Sequence, residues 1–247
     1  MDWTRKCTAL VPCFNEAADI GDVVAAVRKF VPTVLVVDDG STDATARLAK
    51  ASGAEVLELE RNSGKGAALR AGWHRAHARG FEWVLMLDGD GQHFAGDIPQ
   101  FFDSAETSGA KLIVGRRSFG VIPPVRRWTN RFMSRQISGL AGMELPDSQC
   151  GFRLAELASL MRLPLAAEHY EIESEMLLAF AAASKAMEFV PIRTIYKNNT
   201  SKIRPVKDTV RWLRWRLAQT QIEPARSEAP LQIGSLTQAA NTLSPRD

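Results

Sequence analysis

The 247-residue sequence predicts an α/β fold with a mostly parallel central sheet flanked by helices. Two patterns lead to that expectation, and a third marks where ligands would gather. Short runs of β-branched and aliphatic residues, such as residues 34–37 and 83–87, have the length and composition of buried strands. Stretches with apolar residues at helical spacing separate them through short connections, which favours right-handed crossovers and parallel pairing. Several apolar runs end abruptly in Asp- and Gly-rich clusters, and the carboxyl ends of parallel strands are where open sheets hold ligands.

Residues 8–11 make a first strand, and Pro12-Cys13-Phe14-Asn15-Glu16 turns it into a helix with Ile20, Val23, Val24 and Val27 on one face. Pro32 breaks that helix, and residues 34–37 form the second strand. This strand ends in Asp38-Asp39-Gly40-Ser41-Thr42-Asp43, where Ser41 or Thr42 is placed to cap the next helix. Gly53 closes that helix, and residues 54–59 are the third strand. Arg61-Asn62-Ser63-Gly64-Lys65-Gly66 then opens a helix that ends near Gly80. After the central strand at residues 83–87, a helix spans residues 96–108 and a strand residues 111–115. Residues 121–125 read as a loop, followed by a basic segment from Arg126 to Gly142. Asp147-Ser148-Gln149-Cys150-Gly151-Phe152-Arg153 enters another ordered element. A helix over residues 173–184 and a strand over residues 187–195 complete the core. Pro205 starts a final helix with Val206, Val210, Leu213 and Leu217 on one face. Residues 1–220 are expected to form one domain, and residues 221–247, rich in Pro, Ser, Ala and Gln without periodicity, a disordered tail.

Hydrophobic residues make up 45% of the chain and charged residues 24%, as in ordinary globular proteins, and no apolar run approaches the ~18 residues of a membrane span. The opening MDWTRKCTALVPCF lacks the apolar centre of a secretory signal. Cys7, Cys13 and Cys150 are odd in number and form no C-x-x-C pair, which is expected of reduced thiols in a cytoplasmic protein. The net charge of +3 is unevenly spread. Between Glu106 and Glu144 there is no acidic residue, while Lys111, Arg116, Arg117, Arg126, Arg127, Arg131 and Arg135 all fall there. A second basic segment runs from Lys202 to Arg216. Such regions suit an anionic substrate, a membrane surface or nucleic acid.

The chemistry concentrates in WVLMLDGDGQH, residues 83–93. Asp88 and Asp90, beside Gly89 and Gly91, can converge on one hard cation at the end of a central strand; an acidic turn without a ligand is the plainer alternative. The spacing is not that of a calcium EF-hand, since His93 and Pro99 stand where Gly and Glu are needed. The RNSGKG segment is likewise no Walker A loop, because Leu59 and Gly66 occupy the required Gly and Ser/Thr places. Leu69 replaces the third Gly of a dinucleotide fingerprint.

Taken in order, VPCFNE, VVDDGSTD, RNSGKGAALRAG, LDGDGQH, VGRR, DSQCGFR, EIESEM and TSKIRPVKDTVRWL resemble the family-2 glycosyltransferases of GT-A fold, particularly the dolichyl-phosphate mannose synthase-like group. The resemblance covers residues 7–217. It implies a nucleotide-sugar half over residues 1–115, an acceptor half over 116–205 and a basic amphipathic helix over 206–220. Asp88, Asp90 and Gln92 would hold Mg2+ or Mn2+, with Asp88, Asp90 and Arg117 as the catalytic set. Pro12, Phe14, Glu16, Asp39, Lys65, Asp88 and Gly89 would bind the nucleotide sugar, UDP- or GDP-linked. Arg117, Arg131, Ser201 and Lys202, with Arg204 as a looser match, would bind phosphate of the donor or of a polyprenyl-phosphate acceptor. One of Glu171, Glu173 and Glu175 would lie near the sugar, and His93 would line the site or pack beneath it.

Plainer alternatives stand beside these roles. Asp39 can be a helix-capping carboxylate, Lys65 a solvated helix-start residue, and Arg126, Arg127 and Arg135 an exposed basic helix face. His74 and His77, three apart on a helix, are weak metal candidates. The last helix carries Trp212 and Trp215 among Lys207, Arg211, Arg214 and Arg216, a composition suited to lying in an anionic membrane interface or to packing on the core. The expectation is an inverting enzyme at the cytoplasmic membrane face, with a soluble sugar or phosphorylated acceptor as the alternative. No zinc-finger, helix-turn-helix or RNA-recognition signature accompanies the basic residues, so nucleic acid is not expected as a partner.

Overall fold

A computed structural model describes residues 1–117, 124–195 and 205–219, with the side chains of 124–127, 205–208 and 219 excepted. The strands are β1 (Cys7–Cys13), β2 (Val34–Asp38), β3 (Glu55–Glu58), β4 (Trp83–Met86), β5 (Leu112–Arg117), β6 (Arg153–Glu156) and β7 (Met187–Ile192). The helices are α1 (Trp3–Lys6), α2 (Ile20–Val27), α3 (Thr45–Ala51), α4 (Lys65–Ala78), α5 (Ile98–Ser108), α6 (Pro124–Ala141), α7 (Leu157–Leu160), α8 (Ile172–Ala182) and α9 (Pro205–Gln219).

The strands form one sheet in the order β3-β2-β1-β4-β6-β5-β7. Only β6 runs antiparallel to its neighbours, so the expectation of a mostly parallel sheet holds. β1, β2 and β4 are buried almost throughout, which is why their sequences are continuously apolar rather than alternating. The chain steps outward from β1 through β2 to β3, then crosses to place β4 on the other side of β1. That reversal opens a crevice beyond the carboxyl ends of β1 and β4. β6 enters from the same end, because Arg153 pairs with Met86. Its antiparallel direction brings the preceding residues 147–152 up against the loop that follows β4.

Several expectations need correction. Neither Ser41 nor Thr42 caps α3; the Asp43 carboxylate accepts from the Thr45 amide, 2.9 Å away, while Ser41 Oγ accepts from Asn15 N–H. Pro124 and Val125 belong to a helix rather than a loop, and the basic segment after them is that same helix, α6. β7 stops at Ile192, with only an isolated bridge between His93 and Thr194 beyond it. α1 was not expected. It rests on Trp3, stacked 4.5 Å from Phe102 and edge-on to Trp83, with its indole N–H donating to Glu106. The expected tail at residues 221–247 lies outside the described residues.

Candidate active site

Register builds the site. Cys13 pairs with Asp38 and Leu10 with Met86, so the loops after β1, β2 and β4 leave the sheet at one edge. Pro12 lies at the end of β1, Phe14 and Glu16 come from the loop after it, Asp39 from the second loop, and Asp88, Gly89, Asp90 and Gln92 from the third. The first and third loops touch at Gly89, where a Cβ would meet Cys13 Sγ at 2.6 Å and Glu16 Cγ at 3.4 Å. Glycine is therefore required there by close approach.

Asp88 and Asp90 share this site but differ in environment. Lys65 Nζ lies 2.5 Å from Asp88 Oδ1 and 2.5 Å from Glu173 Oε1, with the Tyr170 ring 5.8 Å away. Burial acts to raise the Asp88 carboxyl, yet the Lys65 ammonium, with Arg117 further off, outweighs it and holds the group below the ordinary range. Burial opposes the charge of Lys65 in turn, and Asp88 and Glu173 together raise its ammonium above the usual lysine value. Lys65 is thus no solvated helix-start residue. Asp90 accepts from the Gln92 amide at 3.0 Å, but burial and the neighbouring Asp88 and Glu16 charges push it up to about 6. The pair is short of positive charge at Asp90.

That imbalance bears on a cation. Among the described residues no three His, Cys, Asp or Glu side chains converge as a closed metal cage. The site instead offers two carboxylates on one short loop, oxygen ligands of the kind that hold Mg2+ or Mn2+ when substrate phosphates complete the shell. The residues fit such an ion as a half-site.

The RNSGKG segment owes its likeness to a phosphate loop to packing. The Ser63 and Gly64 amides donate to the two Asp39 oxygens, each at 2.8 Å. The Gly66 and Ala67 amides donate to the Glu168 carbonyl at 2.7 and 3.1 Å. A Cβ on Gly66 would sit 2.1 Å from Ala167 O. These amides are spent inside the protein, and only the Lys65 side chain turns into the site. Asp39 does not cap α3; its carboxylate fastens this loop to β2. Desolvation raises its carboxyl against the two amides.

Of the three glutamates, one reaches the site. Glu173 meets Lys65, whereas Glu171 pairs with Arg211 of α9 at 2.6 Å and Glu175 accepts from the Ala166 and Ala167 amides. His93 is packed: its ring stacks 5.2 Å from Phe152, Nδ1 accepts from the Asp88 amide, and burial lowers its pKa to about 4. It positions the Asp88 backbone as a neutral ring. His74 and His77 are exposed on α4.

Arg117 makes a two-pronged pair with the buried Asp147, Nε and Nη2 each 2.8 Å from an oxygen, which leaves Nη1 outside the fork. Arg131 and Arg135 are exposed on α6 and line an open groove of about 850 Å3 with Ser138 and Met143. Ser201, Lys202 and Arg204 lie outside the described residues, as do the side chains of Arg126 and Arg127. Sequence reasoning missed Arg153. Buried to 1% exposure, it donates to the carbonyls of Cys150, Ser148 and Glu173 and so ties residues 148–153 to α8. This clamp holds Gly151 where a Cβ would be 2.8 Å from both Asp88 Oδ2 and Lys65 Nζ. Its one sequence signal was an arginine at the start of an apolar strand.

A switch-point crevice carrying an Asp-x-Asp loop defines the class as a nucleotide-sugar transferase fold of GT-A type. Solved structures with the same fold include glucosyl-3-phosphoglycerate synthase from Mycobacterium tuberculosis in complex with Mn2+, UDP and glucosyl-3-phosphoglycerate. That protein is 23% identical with a TM-score of 0.69, over 87% of this chain and 78% of that one. The sequence model described as Glycosyl transferase family 2 matches residues 8–162, and the chain belongs to that family of glycosyltransferases. It is similar to glycosyltransferase AglJ of Haloferax volcanii, 32% identical over 81% of this chain and 67% of the relative. It is also similar to undecaprenyl-phosphate mannosyltransferase of Micrococcus luteus, 29% identical over 76% of this chain and 82% of the relative.

Proposed function

We propose that the chain is an inverting, Mg2+- or Mn2+-dependent hexosyltransferase that moves a sugar from a UDP- or GDP-linked donor to a polyprenyl phosphate at the cytoplasmic face of a membrane. The observation that carries this reading is the Asp88–Asp90 half-site at the β1–β4 crevice, with no ion pair to Asp90 among the described residues. Relatives named as polyprenyl-phosphate sugar transferases support the acceptor class. A divalent ion, when bound, would stabilise the charge growing on the diphosphate leaving group. Asp88, Asp90 and Gln92 would hold it.

The chain's other residues bind and orient. Pro12, Phe14, Glu16 and Gly89 border the nucleotide side, where Phe14 is 37% exposed and open to a base or ribose. Asp39 contributes by fixing the loop that carries Lys65. Arg117 and Arg131, with Ser201 and Lys202, supply positive charge for bringing two phosphate-bearing molecules together. The acceptor oxygen is already anionic. It forms the new bond to the anomeric carbon as the bond to the diphosphate breaks, so no proton needs removal and no general base is required. A single displacement inverts the anomeric carbon.

Membrane contact is assigned here to α6 rather than α9. Trp212 is 3% exposed and donates to Ser174 Oγ, and Trp215 packs on the core, so the expected Trp anchors face inward. On α6, Trp128 is 71% and Phe132 39% exposed, stacked at 5.9 Å, with Arg131 and Arg135 exposed beside them. Aromatic rings flanked by arginines suit an anionic interface. Among the described residues no helix is long and apolar enough to cross a membrane.

The test is release of nucleoside diphosphate from UDP-glucose, UDP-N-acetylglucosamine and GDP-mannose, with Mn2+ or Mg2+, with and without a short polyprenyl phosphate. Turnover of one donor that needs both metal and lipid phosphate is the expected result. Metal-dependent turnover stimulated only by water-soluble acceptors would overturn the lipid assignment.

A further inference from the structure

The buried ammonium at the head of α4 occupies an unusual place for a lysine. Lys65 is the first residue of α4, its side chain 13% exposed, and its amine is held between two carboxylates from distant parts of the chain. Asp88 comes from the loop after β4 and Glu173 from the first turn of α8, with side-chain exposures of 32% and 7%. Gly151 closes one side, since a Cβ there would collide with both Lys65 Nζ and Asp88 Oδ2. Asp90, two residues from Asp88, draws its hydrogen bond from a backbone amide instead. The two carboxylates that would share a divalent ion are therefore unequally prepared. Asp90 is charge-starved; Asp88 already has a cation.

We propose that Lys65 is a resident counter-cation that withholds Asp88 from a divalent ion until the donor diphosphate arrives. This rests on the reading that Asp88 and Asp90 hold the ion. In the donor-free protein a metal must displace the ammonium from Asp88 before both carboxylates can bind it. Glu173 gives Lys65 somewhere to remain when Asp88 is taken, so the exchange leaves no buried charge stranded. A diphosphate offers the ammonium further oxygens and the ion its remaining ligands. Metal and donor then bind with strong mutual coupling, and the coupling is reciprocal by linkage. The protein avoids scavenging free divalent ions into a site that has no substrate.

The experiment measures Mn2+ affinity by electron paramagnetic resonance of free Mn2+, with and without UDP, for wild type and Lys65→Met. Removing the ammonium leaves Asp88 and Glu173 open, so donor-free Mn2+ binding is expected to tighten by about 5-fold to 150-fold, the usual span of site coupling. The factor by which UDP improves Mn2+ binding should shrink in the variant. Circular dichroism establishes that the variant is folded, and Lys65→Gln, which also removes the charge, provides the same comparison where Lys65→Met is not. Unchanged or weaker donor-free Mn2+ binding by folded Lys65→Met would overturn the counter-cation role while leaving the metal site intact. No Mn2+ binding by either protein, even with UDP, would overturn both.

Discussion

Asp90 and its neighbours show how a single carboxylate can trade stability for function. Its pKa near 6 in the folded chain lies above the ordinary 3.8, so the folded state holds that proton more tightly than the unfolded chain does. The resulting stability is fully present below the unfolded value and is lost as pH rises through about 6. Above that, the metal-free fold carries an uncompensated charge. Asp90→Asn should therefore raise the melting temperature of metal-free protein at pH 8, by the equivalent of about 1–3 kcal/mol, with about half of that gain at pH 5 and little below about pH 3.5. The same variant should lose metal-dependent turnover. A destabilised Asp90→Asn at pH 8 would mean the carboxylate is satisfied by a partner in the fold. Gly151→Ala probes the same spot by bulk, because its Cβ would press on Asp88 and Lys65. Turnover is expected to fall about 100-fold through displaced side chains, with thermal stability little changed. Equal losses of both would mean the loop itself had moved.

At the scale of elements, the loop before α4 is fastened on both sides, to β2 through Asp39 and to the chain before α8 through the Glu168 carbonyl. Asp39→Ala would strand the Ser63 and Gly64 amides and is expected to destabilise by about 2–5 kcal/mol in denaturant unfolding. A loss under about 1 kcal/mol would mean that water replaces the carboxylate. The apolar runs of β1, β2 and β4 were legible because buried strands need continuous hydrophobicity, and their register then followed from parallel pairing. The roles of RNSGKG were not legible. Nothing local tells whether an N-terminal amide meets a phosphate or a carbonyl about a hundred residues away in sequence, and here it met Glu168. The three alternating glutamates pose the same difficulty, since the turn into α8 sends Glu171, Glu173 and Glu175 to three different partners. α6 was read as loop and mixed segment because arginines dilute its apolar face, although Met133 and Ile137 do point inward.

For the whole molecule, the β1–β4 switch point and the antiparallel entry of β6 bring the loop after β4, the head of α4, residues 147–153 and α8 to one crevice. The acidic loop was visible in sequence, and the resemblance named Lys65, Arg117 and one of three glutamates as its company; the Arg153 clamp and the approach of Gly151 were not visible, because β6 reverses direction only in tertiary context. The two tryptophan-bearing helices show the limit of composition in the other direction. The composition of α9 suits an interface or packing on the core, and the helix buries Trp212, while α6 exposes Trp128. Trp212→Ala should cost about 3–5 kcal/mol in stability, whereas Trp128→Ala combined with Phe132→Ala should leave stability intact and weaken sedimentation with anionic vesicles. Vesicle binding unaffected by the α6 changes would remove that helix from the interface. Attack of an acceptor phosphate oxygen on the sugar can be followed by phosphorus NMR of the full reaction with nucleotide sugar, Mn2+ and a short polyprenyl phosphate. The expected result is that the lipid monoester resonance is replaced by a phosphodiester in step with nucleoside diphosphate release. Nucleoside diphosphate appearing while the monoester resonance stays unchanged would contradict it.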